Sequence, residues 1–389
     1  MKSQAPAPGA DGLKALHLLG QYGERPFDAA AIERELRAMW KSAASSKGAL
    51  YRAALANVIV PLDAATHAPL DPVLVELTRR HPSRLFRLER AAGRPAVAVA
   101  VAAAPTPATA PSLLARVTAL CHMRPGGGGL VCSEQIVLVS TPAAEPLLPS
   151  AVASLLVGDL PVILLRLDGD REPESWGTLE AIADVVLEDS ATRDDAASMA
   201  AVWTRIAARG SSRSRDLAWT RLAPWRELLA EVFDQPDASR AIAGLRDVVL
   251  HYGGAAPPAG AWLLAGWIAS RLGWTLRDRH DTRYRFDAPG RSVTIAFQRE
   301  PDVTDPLLVA VRLRSGKPAP LDVVVSHRGR AASASVEFVA PEPRLLERTF
   351  GYREFAACLI GEIHRHEPNA ALDAAAPVAA ALAALGSTP

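Results

Sequence analysis

The spacing of apolar positions changes along the chain, and that change divides it into two regions. Phe27-Asp28 is followed by Ile32, Leu36, Met39 and Trp40, which share one face of a helix that Asp28 would cap. Asn57-Val58-Ile59-Val60, closed by Pro61, reads as a short buried strand, and Leu70 to Arg80 as a helix ending before Pro82. Further strands are predicted at Leu85 to Arg90, Ala96 to Val101, Ala115 to Cys121 and Leu130 to Ser140, with the Pro/Ala-rich stretch Ala103 to Pro111 as a loop. Beyond these, helix and strand alternate. Leu147 to Val157, Ser175 to Ile182 and Asp194 to Ala208 read as helices, and Leu160 to Leu167 and Asp184 to Leu187 as strands. Strands apolar on both faces between such helices predict parallel βαβ units. Residues 27–210 are therefore expected to form an α/β domain with a largely parallel sheet, preceded by residues 1–26 as a disordered or loosely attached N-terminus.

The polar stretch Arg209 to Arg215, rich in Gly, Ser and Arg, reads as a linker. Trp219 to Phe233 and Ala261 to Leu272 are predicted helices. Strands then follow one another at Tyr284 to Asp287, Ser292 to Gln298, Leu307 to Arg314, Leu321 to Ser326 and Ala334 to Val339, separated by short turns. Tyr352 to His364 and Asn369 to Leu385 supply closing helices. Residues 211–389 are thus expected to be a helical segment plus an α+β domain with an antiparallel sheet.

Composition adds little to this picture and removes some function classes. The chain has 389 residues, 49% hydrophobic and 22% charged, enough for a large core. Lys and Arg number 43 against 42 Asp and Glu, so no global field draws it to nucleic acid or an anionic membrane. No signal peptide is readable at the N-terminus, and the apolar runs fall short of the roughly 20 residues of a membrane span. Cys121, Cys132 and Cys358 include no Cys-x-x-Cys pair, which points to a reducing cytoplasm.

Motifs for chemistry are sparse. The sequence contains no phosphate loop, no dinucleotide-binding Gly-x-Gly-x-x-Gly, no zinc-protease helix and no nucleophile elbow. Gly126 to Gly129 reads as a hairpin loop. Cys121-His122, Cys132 and Glu134 flank it, so the two cysteines can be apolar core fillers, a redox pair, or ligands of a metal. Asp168-Gly169-Asp170 reads as a strand-ending turn and His364-Arg365-His366 as a helix end. Glu134, Glu180 and Asp189 are not spaced as an acid/base couple. No catalytic residue, cofactor or metal site is predicted, so the chain is not expected to be an enzyme.

The most distinctive segment is Asp216-Leu217-Ala218-Trp219-Thr220-Arg221-Leu222-Ala223-Pro224-Trp225-Arg226-Glu227. Leu222, Trp225, Leu229 and Val232 recur at helical spacing, and Pro224 is tolerated in a first turn if Thr220 caps the helix. This segment resembles the central signature of the glucose-6-phosphate dehydrogenase assembly protein (OpcA) family. The resemblance extends to His81-Pro82-Ser83-Arg84, Cys132-Ser133-Glu134-Gln135-Ile136, Asp159-Leu160-Pro161-Val162 and the run from Leu263 through Ala265-Gly266-Trp267 to Trp274. It implies a non-catalytic partner that binds glucose-6-phosphate dehydrogenase, promotes its active form and supports the pentose phosphate pathway and NADPH supply. Trp219, Arg221, Trp225, Arg226 and Glu227 then become candidate partner-binding residues, with the arginines outward and the tryptophans packed inward. Two other readings stand beside it. One is a sugar-phosphate or nucleotide site at Gly126 to Gly129 or around Ser190 and Thr192; the other is a scaffold without kinetic effect.

Overall fold

Asn57–Leu62 is buried almost throughout because it lies inside a sheet, with parallel neighbours on both sides. The structure, a computed structural model, describes residues 17–21, 23–44, 50–62, 67–91, 112–123, 129–167, 176–327 and 331–386. The chain forms two units, Met1–Val186 and Leu187–Pro389. The first begins with β1 (His17–Gln21), β2 (Arg25–Pro26), α1 (Ala29–Ala44), β3 (Leu50–Arg52), β4 (Asn57–Leu62) and α2 (His67–Arg80). It continues with β5 (Arg84–Arg90), β6 (Leu113–Met123), β7 (Leu130–Ser140), α3 (Leu148–Ala153), β8 (Val162–Arg166) and α4 (Trp176–Ile182), and β9 (Val185–Glu188) leads out of it.

Within this unit β7, β5, β4 and β8 pair in parallel in that order, whereas β6 pairs antiparallel with β7. Ile32, Leu36 and Met39 of α1 join Phe86, Ile136 and Leu138 of the sheet in one core, as their helical spacing predicts. Asp28 accepts a hydrogen bond from the Ala31 amide at 3.0 Å, which is the expected cap. Two expectations change here. Within residues 1–26, β1 and β2 add as antiparallel strands on β6, so that part of the segment is attached. The helix expected over Leu147 to Val157 is confined to α3 and entered through a 3-10 turn at Pro142–Leu147, because Pro142, Pro146 and Pro149 each lack an amide donor. The strand at Ala96 to Val101, the loop at Ala103 to Pro111 and the turn at Asp168 to Asp170 lie outside the described residues.

The second unit begins with α5 (Ala196–Arg209), β10 (Ser214–Asp216), α6 (Leu217–Arg221), α7 (Ala223–Asp234), α8 (Pro236–Ala241), β11 (Leu245–Tyr252) and α9 (Ala259–Arg271). Then come β12 (Thr275–His280), β13 (Arg283–Ala288), β14 (Arg291–Arg299), β15 (Leu308–Ser315), β16 (Leu321–Ser326), β17 (Ser333–Ala340), β18 (Arg344–Thr349), α10 (Phe355–Ile363) and α11 (Ala370–Gly386). The eight-stranded sheet runs β12-β13-β14-β11-β15-β16-β17-β18. Every neighbour is antiparallel except β11 and β14, so the antiparallel expectation holds apart from one inserted strand. The helix expected over Trp219 to Phe233 is two helices broken at Leu222. Pro224 sits in the first turn of α7, whose N-cap position is Leu222 and not Thr220, while Asp216 caps α6. The two compact units meet between Val186 and Leu187, and the supposed linker contains buried Ser211, Ser214 and Arg215.

Helices α9 and α11 pack tightly at Gly266. A Cβ there would lie 2.7 Å from the Ala375 carbonyl oxygen and 2.9 Å from the Ala379 amide. The approach requires glycine even though alanine favours helix by about 1 kcal/mol. Gly361, on the exposed side of α10, has nothing within 4 Å of a built Cβ. Gly266→Ala should therefore lower stability by about 1–2 kcal/mol through overpacking. Gly361→Ala should leave it unchanged or raise it. Paired urea melts check this, and equal effects from the two substitutions would contradict the packing argument.

Candidate functional site around Asp216

The signature segment begins where β10 ends at Asp216, whose side chain is only 1% exposed. Its carboxylate accepts from the Ala218 amide at 2.9 Å, which starts α6, and from the Ser190 amide at 3.0 Å. It also accepts from Ser190 Oγ at 2.6 Å and Trp203 Nε1 at 3.0 Å. These donors fill the lone-pair sites a carboxylate offers. Burial, reinforced by the nearby charge of Asp189, pushes the Asp216 carboxyl up to about 6 against the opposing pull of the Ser190 and Trp203 hydrogen bonds. Asp189 is itself held by the Ala191 amide at 3.1 Å and by an ion pair with Arg221. Burial works against the Arg221 charge, but the pull of Asp189, with Asp216 and Cys358 adding to it, makes the net shift upward.

A second arm extends from Thr220, which donates to Glu362 Oε1 at 2.6 Å. Arg365 grips the same carboxylate through Nε at 3.1 Å and Nη2 at 2.8 Å. Arg215 donates to the carbonyls of Glu362, Arg365 and Ser211, and burial lowers its pKa. Ser211 donates through its amide and hydroxyl to Asp373, at 2.6 and 2.8 Å. The segment read as a solvated linker is thus fastened to α10 and α11.

Of the five candidate partner-binding residues, Trp219 and Trp225 pack inward as expected. Trp225 meets Phe350 edge-on at 5.6 Å. The arginines do not project freely. Arg226 lies 3.8 Å over the Trp219 ring and donates to the Trp219 carbonyl at 2.7 Å, and burial pulls its pKa down to about 10. Arg221 turns to Asp189. Glu227 alone of the five is exposed, with its nearest cation at Arg353, 3.7 Å away. Helical spacing places these arginines on a flank but cannot show that Asp189 and the Trp219 ring lie beside it. Sequence reasoning does not reach Glu362, Arg365, Asp373, Arg215 and Trp203 as members of this network. The local signal available is an Asp directly before a helix, the pattern of a cap.

In the first unit Cys121 and Cys132 face each other across β6 and β7, with Cα atoms 4.0 Å apart, and form a disulfide. Of the three readings open for these cysteines, this geometry matches the redox pair and not apolar fillers or metal ligands; Cys358 is free and buried. Glu134, considered as a ligand beside them, is committed elsewhere. It accepts from Trp40 Nε1 at 2.7 Å and Arg84 Nε at 2.8 Å and pairs with Arg52 at 2.7 Å. Buried His122 has its pKa lowered by desolvation and by Arg79. No group of three metal-ligating side chains occurs among the described residues, and no helix there is long and apolar enough to cross a membrane.

The raised pKa of Asp216 has a definite sign. The fold favours its protonated form, so the stabilisation is full below an unfolded value of about 3.9 and is lost as pH rises through about 6. Lowering the pH from about 7 to about 5 should stabilise the wild type by about 1 kcal/mol relative to Asp216→Asn. Urea denaturation at both pH values measures this, and a difference that stays constant or shrinks would contradict it.

Two family models match the chain. The N-terminal domain of the glucose-6-phosphate dehydrogenase subunit matches residues 75–204, and the C-terminal domain of that subunit matches residues 212–376. OpcA of Nostoc punctiforme, named for the OxPP cycle, is 33% identical over 162 residues, which is 41% of this chain and 34% of that protein. The corresponding protein of Synechocystis sp. is 29% identical over 147 residues, 38% of this chain and 30% of its own length. The chain thus spans about a third of the length of the curated relatives it matches. Among solved structures, the WlbA (WbpB) dehydrogenase from Thermus thermophilus, in complex with NAD and UDP-GlcNAcA, overlaps 86% of this chain and 95% of its own at 13% identity. Its TM-score of 0.35 is too low to carry an argument. With both of its halves matched by the family's two domain models, the chain belongs to the OpcA family of glucose-6-phosphate dehydrogenase assembly proteins.

Proposed function

We propose that this protein is a non-catalytic cytoplasmic assembly factor that binds glucose-6-phosphate dehydrogenase, favours its active form and so supports the oxidative pentose phosphate pathway and NADPH supply. The observation that carries this reading is the match of both halves to domains described as parts of a dehydrogenase subunit. The Ser190 region supports it over a small-molecule site there; Gly126 to Gly128, in the other stretch considered for such a site, lie outside the described residues. The Ser190 amide and hydroxyl, which an anion would need, are both committed to Asp216, and the Asp189 carboxylate beside them would repel a phosphate. In this reading Arg221 and Arg226 act by holding the segment together, and Glu227 is the side chain it offers to a partner.

Activation by binding needs unequal affinity for the active and inactive enzyme, because a partner that binds both equally shifts nothing. A tenfold shift requires only about 1.4 kcal/mol, which a few contacts can supply. Initial rates of the dehydrogenase from the same cell, measured across a titration of this protein, should rise to a plateau, with no dehydrogenase activity in the protein alone. A saturating titration that alters neither maximal rate nor apparent substrate affinity would remove the activator reading, and binding without a kinetic effect would leave a scaffold.

A further inference from the structure

The eight-stranded sheet of the second unit carries its core on one face, where Tyr284, Phe286, Ile295, Leu250, Val311 and Val336 pack with the helices. The alternate residues form the opposite face. Their register sets out a row across the strands: Arg283, Ala296, Val249, Arg312, Val324 and Glu337 on β13, β14, β11, β15, β16 and β17. In a neighbouring row Asp247 of β11 stands beside Arg314 of β15, 3.5 Å apart. The centre of this face is small and close-packed, with Val249 and Ala296 nearly buried, whereas Arg283 and Glu337 near its two ends are exposed. The charge of the first row therefore reverses from one end to the other.

We propose that this face is the interface of a symmetric homodimer. A two-fold axis parallel to the strands, passing between β11 and β15 at the middle of the strand order, exchanges β13 with β17, β14 with β16 and β11 with β15. Across that axis Arg283 stands over Glu337, Ala296 over Val324, and Asp247 over Arg314. The face is thus complementary to itself, which a face made for an unrelated partner has no reason to be. Its size is adequate. Eight strands spaced about 4.8 Å apart, each about six residues long, give roughly 700 Å² per copy, or about 1,400 Å² buried in all, within the range of stable interfaces. Stacked sheets tolerate the angle of about 30° that strand twist imposes. The same contact covers Leu345 of β18, which is 61% exposed. The proposal does not depend on the dehydrogenase reading.

Sedimentation of the full chain over about 1–100 μM tests it, with circular dichroism to confirm that each variant is folded. A dimer is expected in this range. Arg283→Glu and Glu337→Arg should each weaken it at least tenfold by placing like charges across the axis, and the double variant should restore it. Three results would each overturn the proposal: a monomer throughout, a dimer that neither reversal weakens, or single-variant losses that the double variant does not rescue. If the chain is monomeric and Arg283→Glu instead abolishes dehydrogenase binding, the face belongs to a heterologous partner and the homodimer is wrong.

Discussion

The helical layer of the second unit depends on one carboxylate that has almost no access to water. Asp216 is tolerated in that position because four donors from three separate stretches of chain converge on it: the start of α6, Ser190 and Trp203 of α5. A buried polar network of this kind is stable only when complete, and losing one member leaves the others desolvated without partners. The neighbouring Asp189–Arg221 pair and the Thr220–Glu362–Arg365 arm extend the same logic to α10. Asp373 draws in α11 through Ser211.

This arrangement changes what the signature segment signifies. Its residues identify the family, yet nearly all of their functional groups are directed at the protein itself. Trp219 and Trp225 fill the core, Arg226 covers Trp219 and reads its carbonyl, and Arg221 neutralises Asp189. A segment can be distinctive because a fold cannot be assembled without it. On the reading proposed above, a partner would meet mainly residues that the signature does not mark.

The legible parts of the sequence are those in which one stretch of chain carries its own answer. Asn57–Leu62 is apolar on both faces and reads as an interior strand, and the spacing of Ile32, Leu36 and Met39 fixes the buried side of α1. β11 is not legible although it lies inside the second sheet, because only Val248-Val249-Leu250 is continuously apolar between Asp247 and His251. Arg209 to Arg215 has the composition of a solvated linker, and nothing nearby in sequence shows that its partners are Glu362, Arg365 and Asp373, about 150 residues away. Cys121 and Cys132 are visible as a pair, but choosing among filler, ligand and disulfide requires the register that sets them opposite each other.

The central claim is that the signature segment is chiefly a structural hub, with Glu227 its one exposed side chain. Hydrogen–deuterium exchange of the backbone amides from Leu217 to Asp234, in the free protein and in its complex with the dehydrogenase, addresses it most directly. These amides should already exchange slowly in the free protein, since the Asp216 cap of α6 and the buried side chains of α6 and α7 are in place without a partner. Binding should change them little and should add protection at other parts of the chain. Fast exchange of this stretch in the free protein, with strong protection appearing there on binding, would contradict the account.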